Sequence, residues 1–465
     1  MSERQGRSMA YKPNGDHVHN PGRDNGDTRK MKRRIIVSAI LIVMIAAGII
    51  ITVWQLTKPS FDNANQELEY IVTNQVANDK QIKNCVLAVM KGDGSFTWSG
   101  AAGIANQDGQ VPMTTDTPIY VASITKLYTA AAIMRLYEQG ALALGDPMAK
   151  YLPDDLIRGI HVYQGKDYSH EITIEQLLAQ TSGIADYYSE KPKGGSSLYE
   201  MFVADPERSW TVEEMIERAR NDLEPNFQPG TAASYSDTNY QLLGKIIEAI
   251  TGKPLEVVYD EFFFRPLGLK HTWLVGRSEP QVTPSAAPAD VFAKDVNVTK
   301  IRSNGAYWAD GGIVSTAEDA IIFLQALKEG RIVREDTLEL MHNWHPLKNL
   351  PFQYGYGTMY FQIPSFINVV MKVPPVWGHS GSTGAFLYYS EDLDLYMAGT
   401  IDQTEDQIAP VMLMIKVMKV IHQFESGQVK VHLKGVTRVQ IGDAYERANT
   451  LKPISSCKAY PPNRD

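Results

Sequence analysis

Cysteine is scarce in this chain of 465 residues, which contains two, Cys85 and Cys457. At most one intramolecular disulfide can form, so a fold held together by several disulfides is excluded. Cys85 lies in an apolar strand pattern, which favours a buried free thiol. Pairing with Cys457 in an oxidising compartment stays open, because sequence alone cannot show that the two are close.

Basic residues are also scarce beyond the N-terminal region. Residues 1–34 carry nine Lys/Arg and four Asp/Glu, whereas the rest of the chain carries 36 and 49, a net charge of −13. Such an acidic main domain argues against nucleic acid as a partner. The first 34 residues are polar, with scattered Pro, Gly and Asn, and are predicted to be disordered. No internal repeat indicates a repeat architecture.

One long apolar run stands out from this composition. Residues 35–57 contain no charged side chain, and these 23 residues suffice to cross a bilayer as a helix. Basic residues directly before the run place its N-terminal side in the cytoplasm. We therefore expect a single-pass anchor in the cell membrane, a cytoplasmic tail over 1–34 and an extracytoplasmic domain over 58–424. A cleaved signal peptide is the alternative, but the run is too long and starts too late.

The order of strand and helix patterns predicts the fold class. Strand-like segments flank a Gly-rich turn at 91–94, helical patterns dominate the middle of the chain, and strand patterns return between 354 and 401. A long apolar helix over 406–424 follows. This order indicates an α/β fold of the α+β sandwich type: one antiparallel sheet built from both ends of the domain, flanked by helices, with a mostly helical subdomain inserted. Residues 425–465 form an appendix of unknown role. Three helices are predicted to end at a glycine: Gly140, Gly252 and Gly330.

A serine and a lysine one helical turn apart mark a candidate catalytic site. Ser123-Ile124-Thr125-Lys126 opens an apolar helical run, so Ser123 and Lys126 share one face of a helix. The helix N-terminus favours the negative charge that develops on an attacking hydroxyl. A lysine in apolar surroundings resists protonation and can then act as a base.

Two further stretches supply groups that such a pair requires. Tyr235 follows the turn Pro229-Gly230, and its loop can present the phenol to a cleft. The stretch 378–384, Gly-His-Ser-Gly-Ser-Thr-Gly, follows a short apolar strand and can offer backbone N–H groups to a ligand. Taken singly, each stretch is more typical of an ordinary tyrosine or turn.

Together the three stretches resemble the serine β-lactamase and penicillin-binding protein superfamily, in particular its branch of class C β-lactamases, D,D-carboxypeptidases and esterases. In that branch the second motif is Tyr-x-Asn and the third is Lys or His, any residue, Gly. Further segments agree in family order, among them 177–184, 265–269 and 311–319. The resemblance covers residues from about 65 to about 424.

The resemblance implies roles for individual residues. Ser123 would be the nucleophile that forms an acyl-enzyme, Lys126 would assist its deprotonation, and Tyr235 would shuttle the proton. The backbone N–H groups of Ser123 and Ser382 would form the oxyanion hole. Four positions would contact the substrate or the oxyanion: Asp237, His379, Gly381 and Ser382. No metal and no cofactor are implied, and the partner would be a small-molecule or peptide substrate.

Three positions depart from the family pattern. Asp237 stands where Asn is frequent; its carboxylate would favour a charged ammonium on Lys126, shift the base role toward Tyr235 and repel a substrate carboxylate. His379 in place of Lys removes a fixed positive charge that would bind a carboxylate. Gln180 replaces a commonly seen His, with no consequence that the sequence reveals. The departure at Asp237 favours esters, amides or amine-bearing peptides as substrates, and the one at His379 agrees with peptidase and esterase branches more than with efficient β-lactamases.

The sequence thus predicts a membrane-anchored, extracytoplasmic serine hydrolase. A D-amino-acid peptidase or carboxypeptidase acting on cell-wall peptides ranks first, an esterase second and a β-lactamase third. A non-catalytic sensor or scaffold that binds cell-wall fragments is the alternative from another class. Retention of the serine, the lysine, the tyrosine and the histidine together argues against it. The oligomeric state is not predicted.

Overall fold

The computed structural model describes residues 46, 48–55, 57–301, 306–348, 352–365, 368 and 371–426. The predicted tail over 1–34, all but two residues of the predicted appendix, and Cys457 lie outside these residues. Most of the predicted anchor over 35–57 lies outside them too. Within the described part of the chain, no helix is long and apolar enough to span a bilayer.

The strands, numbered in chain order, are β1 (Asn84–Lys91), β2 (Thr97–Asn106), β3 (Val111–Pro112), β4 (Ile119–Tyr120), β5 (Val162–Tyr163), β6 (Lys166–Asp167), β7 (Trp273–Leu274) and β8 (Phe292–Ala293). They continue with β9 (Val296–Asn297), β10 (Ile313–Ser315), β11 (His345–Pro346), β12 (Gln353–Tyr354), β13 (Met359–Phe361), β14 (Val376–Ser380), β15 (Phe386–Ser390) and β16 (Leu395–Thr400).

The α-helices are α1 (Ala64–Asn78), α2 (Thr125–Glu138), α3 (Asp154–Ile157), α4 (Ile174–Leu178), α5 (Leu198–Ala204) and α6 (Val212–Asn221). They continue with α7 (Asp237–Thr251), α8 (Leu255–Tyr259), α9 (Arg265–Leu267), α10 (Ala317–Lys328), α11 (Glu335–Met341) and α12 (Ala409–Glu425).

One antiparallel sheet dominates the described residues and confirms the predicted sheet type. Its nine strands there follow the order β11-β12-β13-β14-β15-β16-β1-β2-β3. The front and the back of the domain meet where β1 pairs with β16, with Ala88 opposite Ala398. The predicted turn after β1 is also found, since β1 pairs with β2 as a hairpin that places Ala88 opposite Ser99. Strands far apart in sequence therefore lie side by side in this sheet, as the strand patterns indicated.

Helices cover both faces of the central strand β1, which is buried along nearly its whole length. The Ser99 hydroxyl donates to Glu318 of α10 (3.0 Å), so the face that carries Ala88 lies toward α10. Cys85 has the opposite parity on the strand, and its thiol interacts with Lys416 of α12. Helices α1 and α12 also pack against each other. This burial from two sides explains why β1 reads as a continuous apolar run.

The helical region between the two halves of the sheet positions the site. Helix α7 packs against α2, α4 and α6. The helix ends predicted at Gly140, Gly252 and Gly330 are confirmed, since these residues have φ of 72°, 65° and 74°. The N-termini of α2 and α7 meet, because residues of their first turns form a buried ion pair. Strand β14 contacts the short 3₁₀ turn Ala122–Ile124 that precedes α2. The three predicted motifs therefore converge at one place.

Candidate active site

Ser123 lies in the 3₁₀ turn Ala122–Ile124, directly before the buried helix α2. Ala122 has a φ of 47°, a left-handed conformation that is unfavourable for a residue with a Cβ. Strand β10 holds the turn from the other side: the Val121 N–H donates to the Ile313 carbonyl (3.2 Å) and the Ile313 N–H donates to Thr125 Oγ1 (3.0 Å). A strained backbone fixed by its neighbours is frequent at functional sites.

Lys126 is fully buried, and its ammonium is surrounded by acceptors. Its Nζ donates to Ser123 Oγ (3.1 Å), to the Asp310 carbonyl oxygen (2.8 Å) and to Asp237 Oδ1. The ammonium also lies 5.0 Å from the centre of the Tyr235 ring. Three donors thus meet three acceptors, which is the full capacity of a charged lysine. This arrangement suits a lysine that orients neighbouring groups more than one that takes a proton.

The hydroxyl of Tyr235 is buried and donates to no acceptor within the described residues. Burial, and then the negative charge of Asp237, raise the pKa of Tyr235 well above its usual value, while the nearby Ser123 hydroxyl opposes the shift. The ring packs edge-on against Tyr354, with 5.6 Å between the ring centres. A protonated phenol beside the serine can relay a proton, but it is not a stable phenolate at neutral pH.

Three carboxyl groups and one ammonium form the electrostatic centre of the site. Asp237, in the first turn of α7, donates its N–H to Asp186 Oδ1 (2.9 Å). Burial and the charge of Asp237 raise the pKa of Asp186 to about 7. The same two causes raise the pKa of Asp310 to about 6, against the opposing charge of Lys126. Three carboxyl groups thus share the site with one ammonium, and burial favours the protonated form of two of them.

The third motif is buried and uncharged. His379 Nδ1 donates to the Ser380 carbonyl (2.7 Å), which leaves Nε2 to accept from the Tyr354 hydroxyl (3.2 Å). Burial, followed by the charge of Lys126, lowers the pKa of His379 to about 3. Both ring nitrogens are thus used within the protein. The predicted contact of His379 with the substrate or the oxyanion stays a prediction. Its neutral state agrees with the expectation that this position lacks a fixed positive charge.

Gly381 packs against the backbone that leads into the nucleophile turn. Its N–H donates to the Ala385 carbonyl (2.7 Å), so this N–H is not available to an oxyanion. A Cβ at Gly381 would lie 2.4 Å from the Val121 carbonyl oxygen, so only glycine lets the third motif approach the nucleophile turn. Thr383 ties the two together, because its hydroxyl donates to the Tyr120 carbonyl (2.7 Å). The oxyanion role of Ser382 remains a prediction.

The comparison with known families agrees with this geometry. A family described as Beta-lactamase matches residues 68–410. The chain belongs to the beta-lactamase family. The resemblance seen in the sequence is thereby confirmed, over nearly the range that the motifs indicated.

Relatives within the beta-lactamase family differ in the names that they carry. The chain is 29% identical over 332 residues to a putative D-alanyl-D-alanine carboxypeptidase of Escherichia coli K12, covering 63% of this chain and 72% of the relative. It is 28% identical over 290 residues to esterase EstB of Burkholderia gladioli, covering 57% and 71%. The solved D-amino acid amidase of Ochrobactrum anthropi SV3 superposes with a TM-score of 0.65 at 23% identity, covering 78% of this chain and 99% of that one, which shows a common fold. Family membership alone does not fix the substrate.

The sequence did not single out two of the carboxyl groups, Asp186 and Asp310. Both are buried acids next to segments that matched the family, and Asp310 directly precedes Gly311-Gly312. An acid at the border of a glycine pair was the available signal. Among the described residues, no group of three His, Cys, Asp or Glu side chains is arranged to hold a metal ion.

Proposed function

We propose that this protein is a serine hydrolase that acts through an acyl-Ser123 intermediate on amide, peptide or ester bonds of substrates without a free carboxylate near the scissile bond. The arrangement around Lys126 is the main support for this proposal. Its ammonium contacts Ser123 Oγ, while the buried Tyr235 hydroxyl near the serine has no acceptor of its own. A nucleophile, an orienting cation and a proton relay are thus in one place.

Proton transfer in this site is best described as a relay. Ser123 Oγ attacks the substrate carbonyl and passes its proton to Tyr235 Oη, as the phenol gives its own proton to the leaving nitrogen or oxygen. No free phenolate is needed, in keeping with the raised pKa of Tyr235. The Lys126 ammonium stabilises the developing negative charge at Oγ through its existing hydrogen bond. In the second half of the reaction, water attacks the acyl carbon and gives a proton to Tyr235 Oη, while the phenol returns its own proton to Ser123 Oγ. The ester bond to Ser123 breaks and the acid product leaves.

The charge of the site favours substrates that lack a carboxylate. A substrate carboxylate about 7 Å from the Asp237 carboxylate would be repelled by about 2 kcal/mol at an effective dielectric constant of about 20. Lys126 offsets part of the repulsion from Asp237, so we expect a net preference of about tenfold against a carboxylate. His379, being neutral, supplies no compensating charge. An amidase, aminopeptidase or esterase on D-amino-acid substrates thus ranks above a carboxypeptidase.

Two measurements test this proposal. A fluorophosphonate probe should label the wild-type protein and not Ser123→Ala, and Ser123→Ala should lower turnover at least about a thousandfold. Wild type should then hydrolyse acetyl-D-Ala-D-Ala-amide about tenfold faster than acetyl-D-Ala-D-Ala, two peptides that differ in one carboxylate. Asp237→Asn should narrow that ratio. Absence of Ser123-dependent labelling would instead favour a binding protein, and an unchanged ratio would refute the charge argument.

We further propose that residues 35–57 anchor the protein in the cell membrane with the hydrolase domain outside. The 23-residue uncharged run after a basic segment supports this. The full-length protein should stay with membranes after alkaline carbonate washing, and deletion of 35–57 should release it. Equal release of both forms would refute the anchor.

A further inference from the structure

Gln180 is a buried glutamine that the proposed chemistry leaves without a role. It follows the short helix α4 and has a φ of 60°, in the left-handed region that non-glycine residues rarely adopt. A residue persists in such a conformation when its surroundings hold it there. Its contacts therefore indicate what the conformation serves.

Both oxygen atoms of Gln180 bind the segment that carries Tyr235. Its backbone carbonyl accepts from the Ser234 N–H (2.9 Å), and its side-chain Oε1 accepts from the Ser236 N–H (3.0 Å). These are the two residues on either side of Tyr235. The same Oε1 accepts from Asn239 Nδ2 (2.6 Å), while Asn239 Oδ1 accepts from the Ser182 hydroxyl (2.7 Å). One glutamine thus fixes the chain before and after the phenol and the first turn of α7.

The amide NH2 of Gln180 faces the aromatic side of the site. Nε2 is buried and has no hydrogen-bond acceptor of good geometry within the described residues. Gln180 nevertheless affects the pKa of Tyr354. Burial raises the pKa of that phenol well above its usual value, and the Gln180 side chain opposes the shift. Tyr354 packs against Tyr235 and donates to His379. Gln180 therefore lies between the second and the third motif.

We propose that Gln180 is a positioning residue that fixes the Tyr235 phenol relative to Ser123 by clamping the backbone on both sides of Tyr235. The inference rests on the proposed function, since it concerns the alignment of the proton relay. Lys126 contacts the face of the Tyr235 ring and the side chain of Asp237, whereas Gln180 binds the backbone on both sides of Tyr235. A displacement of about 1 Å in such a group can lower a rate about a hundredfold.

Gln180→Asn is the informative substitution. Asparagine adopts the left-handed conformation at least as easily as glutamine, so the backbone is not penalised. The amide is one methylene shorter and cannot bridge Ser236 and Asn239 as before. We expect kcat to fall about 10- to 100-fold with KM within about twofold. The melting temperature should change little.

Gln325→Asn is the matched control, because Gln325 is also a buried glutamine but lies on α10 and donates to Glu329 (2.8 Å). It should leave kcat unchanged whatever it does to the melting temperature. Asn239→Ala tests the same clamp from its other end. If both residues act through one bond, the double variant with Gln180→Asn should lose no more activity than the worse single variant.

The outcomes separate this inference from the proposed function. Wild-type labelling and turnover establish the hydrolase first, with full-length protein and the substrates named above. If Gln180→Asn then keeps kcat within twofold of wild type, or if the two losses in kcat multiply, the clamp is refuted. Should Gln180→Asn fail to fold, Asn239→Ala decides alone: a fall in kcat of about tenfold at unchanged KM supports the clamp, and an unchanged kcat refutes it.

Discussion

The buried carboxyl group of Asp186 should make the stability of this protein fall between pH 5 and pH 8. Its two oxygens accept the N–H groups of Asp237 (2.9 Å), Tyr188 (3.2 Å) and Ser189 (3.1 Å), yet burial and the charge of Asp237 raise its pKa from 3.8 to about 7. The native state then binds the proton more tightly than the unfolded state. The resulting stability is fully present below about pH 4 and is lost as the pH rises through about 7.

The magnitude follows from the two pKa values. At pH 5 the unfolded carboxyl group is mostly ionised and the native one is protonated, whereas at pH 8 both are ionised. For a shift from 3.8 to about 7, the free energy of unfolding falls by about 3 kcal/mol over this interval. Asp186→Asn removes the titration, so its free energy of unfolding should depend less on pH by about that amount.

Urea denaturation at pH 5 and pH 8, followed by tryptophan fluorescence, measures this difference. The absolute stability of Asp186→Asn is not the test. Its NH2 group would face the Ser189 N–H, and two donors in contact would destabilise the variant at every pH. Asp319→Asn is the control: burial raises the pKa of Asp319 to about 6, and this carboxylate binds the His271 N–H (2.8 Å) outside the site. Asp319→Asn should reduce the pH dependence of the unfolding free energy by about 1 kcal/mol and leave kcat unchanged. If Asp186→Asn loses as much stability between the two pH values as wild type, the reasoning is refuted.

Other predictions concern the site and the core. Gly381→Ala would place a methyl carbon 2.4 Å from a backbone oxygen before the nucleophile, so kcat should fall about a hundredfold; Gly145→Ala, whose methyl would meet nothing within 4 Å, should not change it. Tyr235→Phe keeps the ring but removes the relay, and a kcat within threefold of wild type would contradict the predicted loss of about 10²–10⁴. Burial raises the pKa of Cys85 to about 12, so a thiol reagent should label it only after unfolding in a Cys457→Ser variant. Rapid labelling of the native variant would show that β1 opens.

The structure specified the contacts of three predicted site residues, Lys126, His379 and Gly381. The sequence suggested that Asp237 would keep Lys126 charged, and the structure places that carboxylate and the Asp310 carbonyl on the ammonium. It also placed both ring nitrogens of His379 in contact with protein groups and gave Gly381 a packing role. Apart from the bond between His379 and the adjacent Ser380, these contacts join segments far apart in sequence, so no spacing rule could have revealed them.

The family resemblance singled out Tyr235 as a candidate. Periodicity and short-range chemistry were enough to predict the sheet type, the first hairpin and the helix ends at glycine, and they marked Ser123 and Lys126 as a candidate pair. Each depends on neighbours within a few positions: a helix brings i and i+3 together, and a strand alternates its faces. Only the tertiary structure showed that Asp186, Asp310 and Gln180 surround these residues. Their significance depends on burial and on pairing between segments tens to hundreds of residues apart, and burial is what converts an ordinary carboxyl group or amide into part of a site.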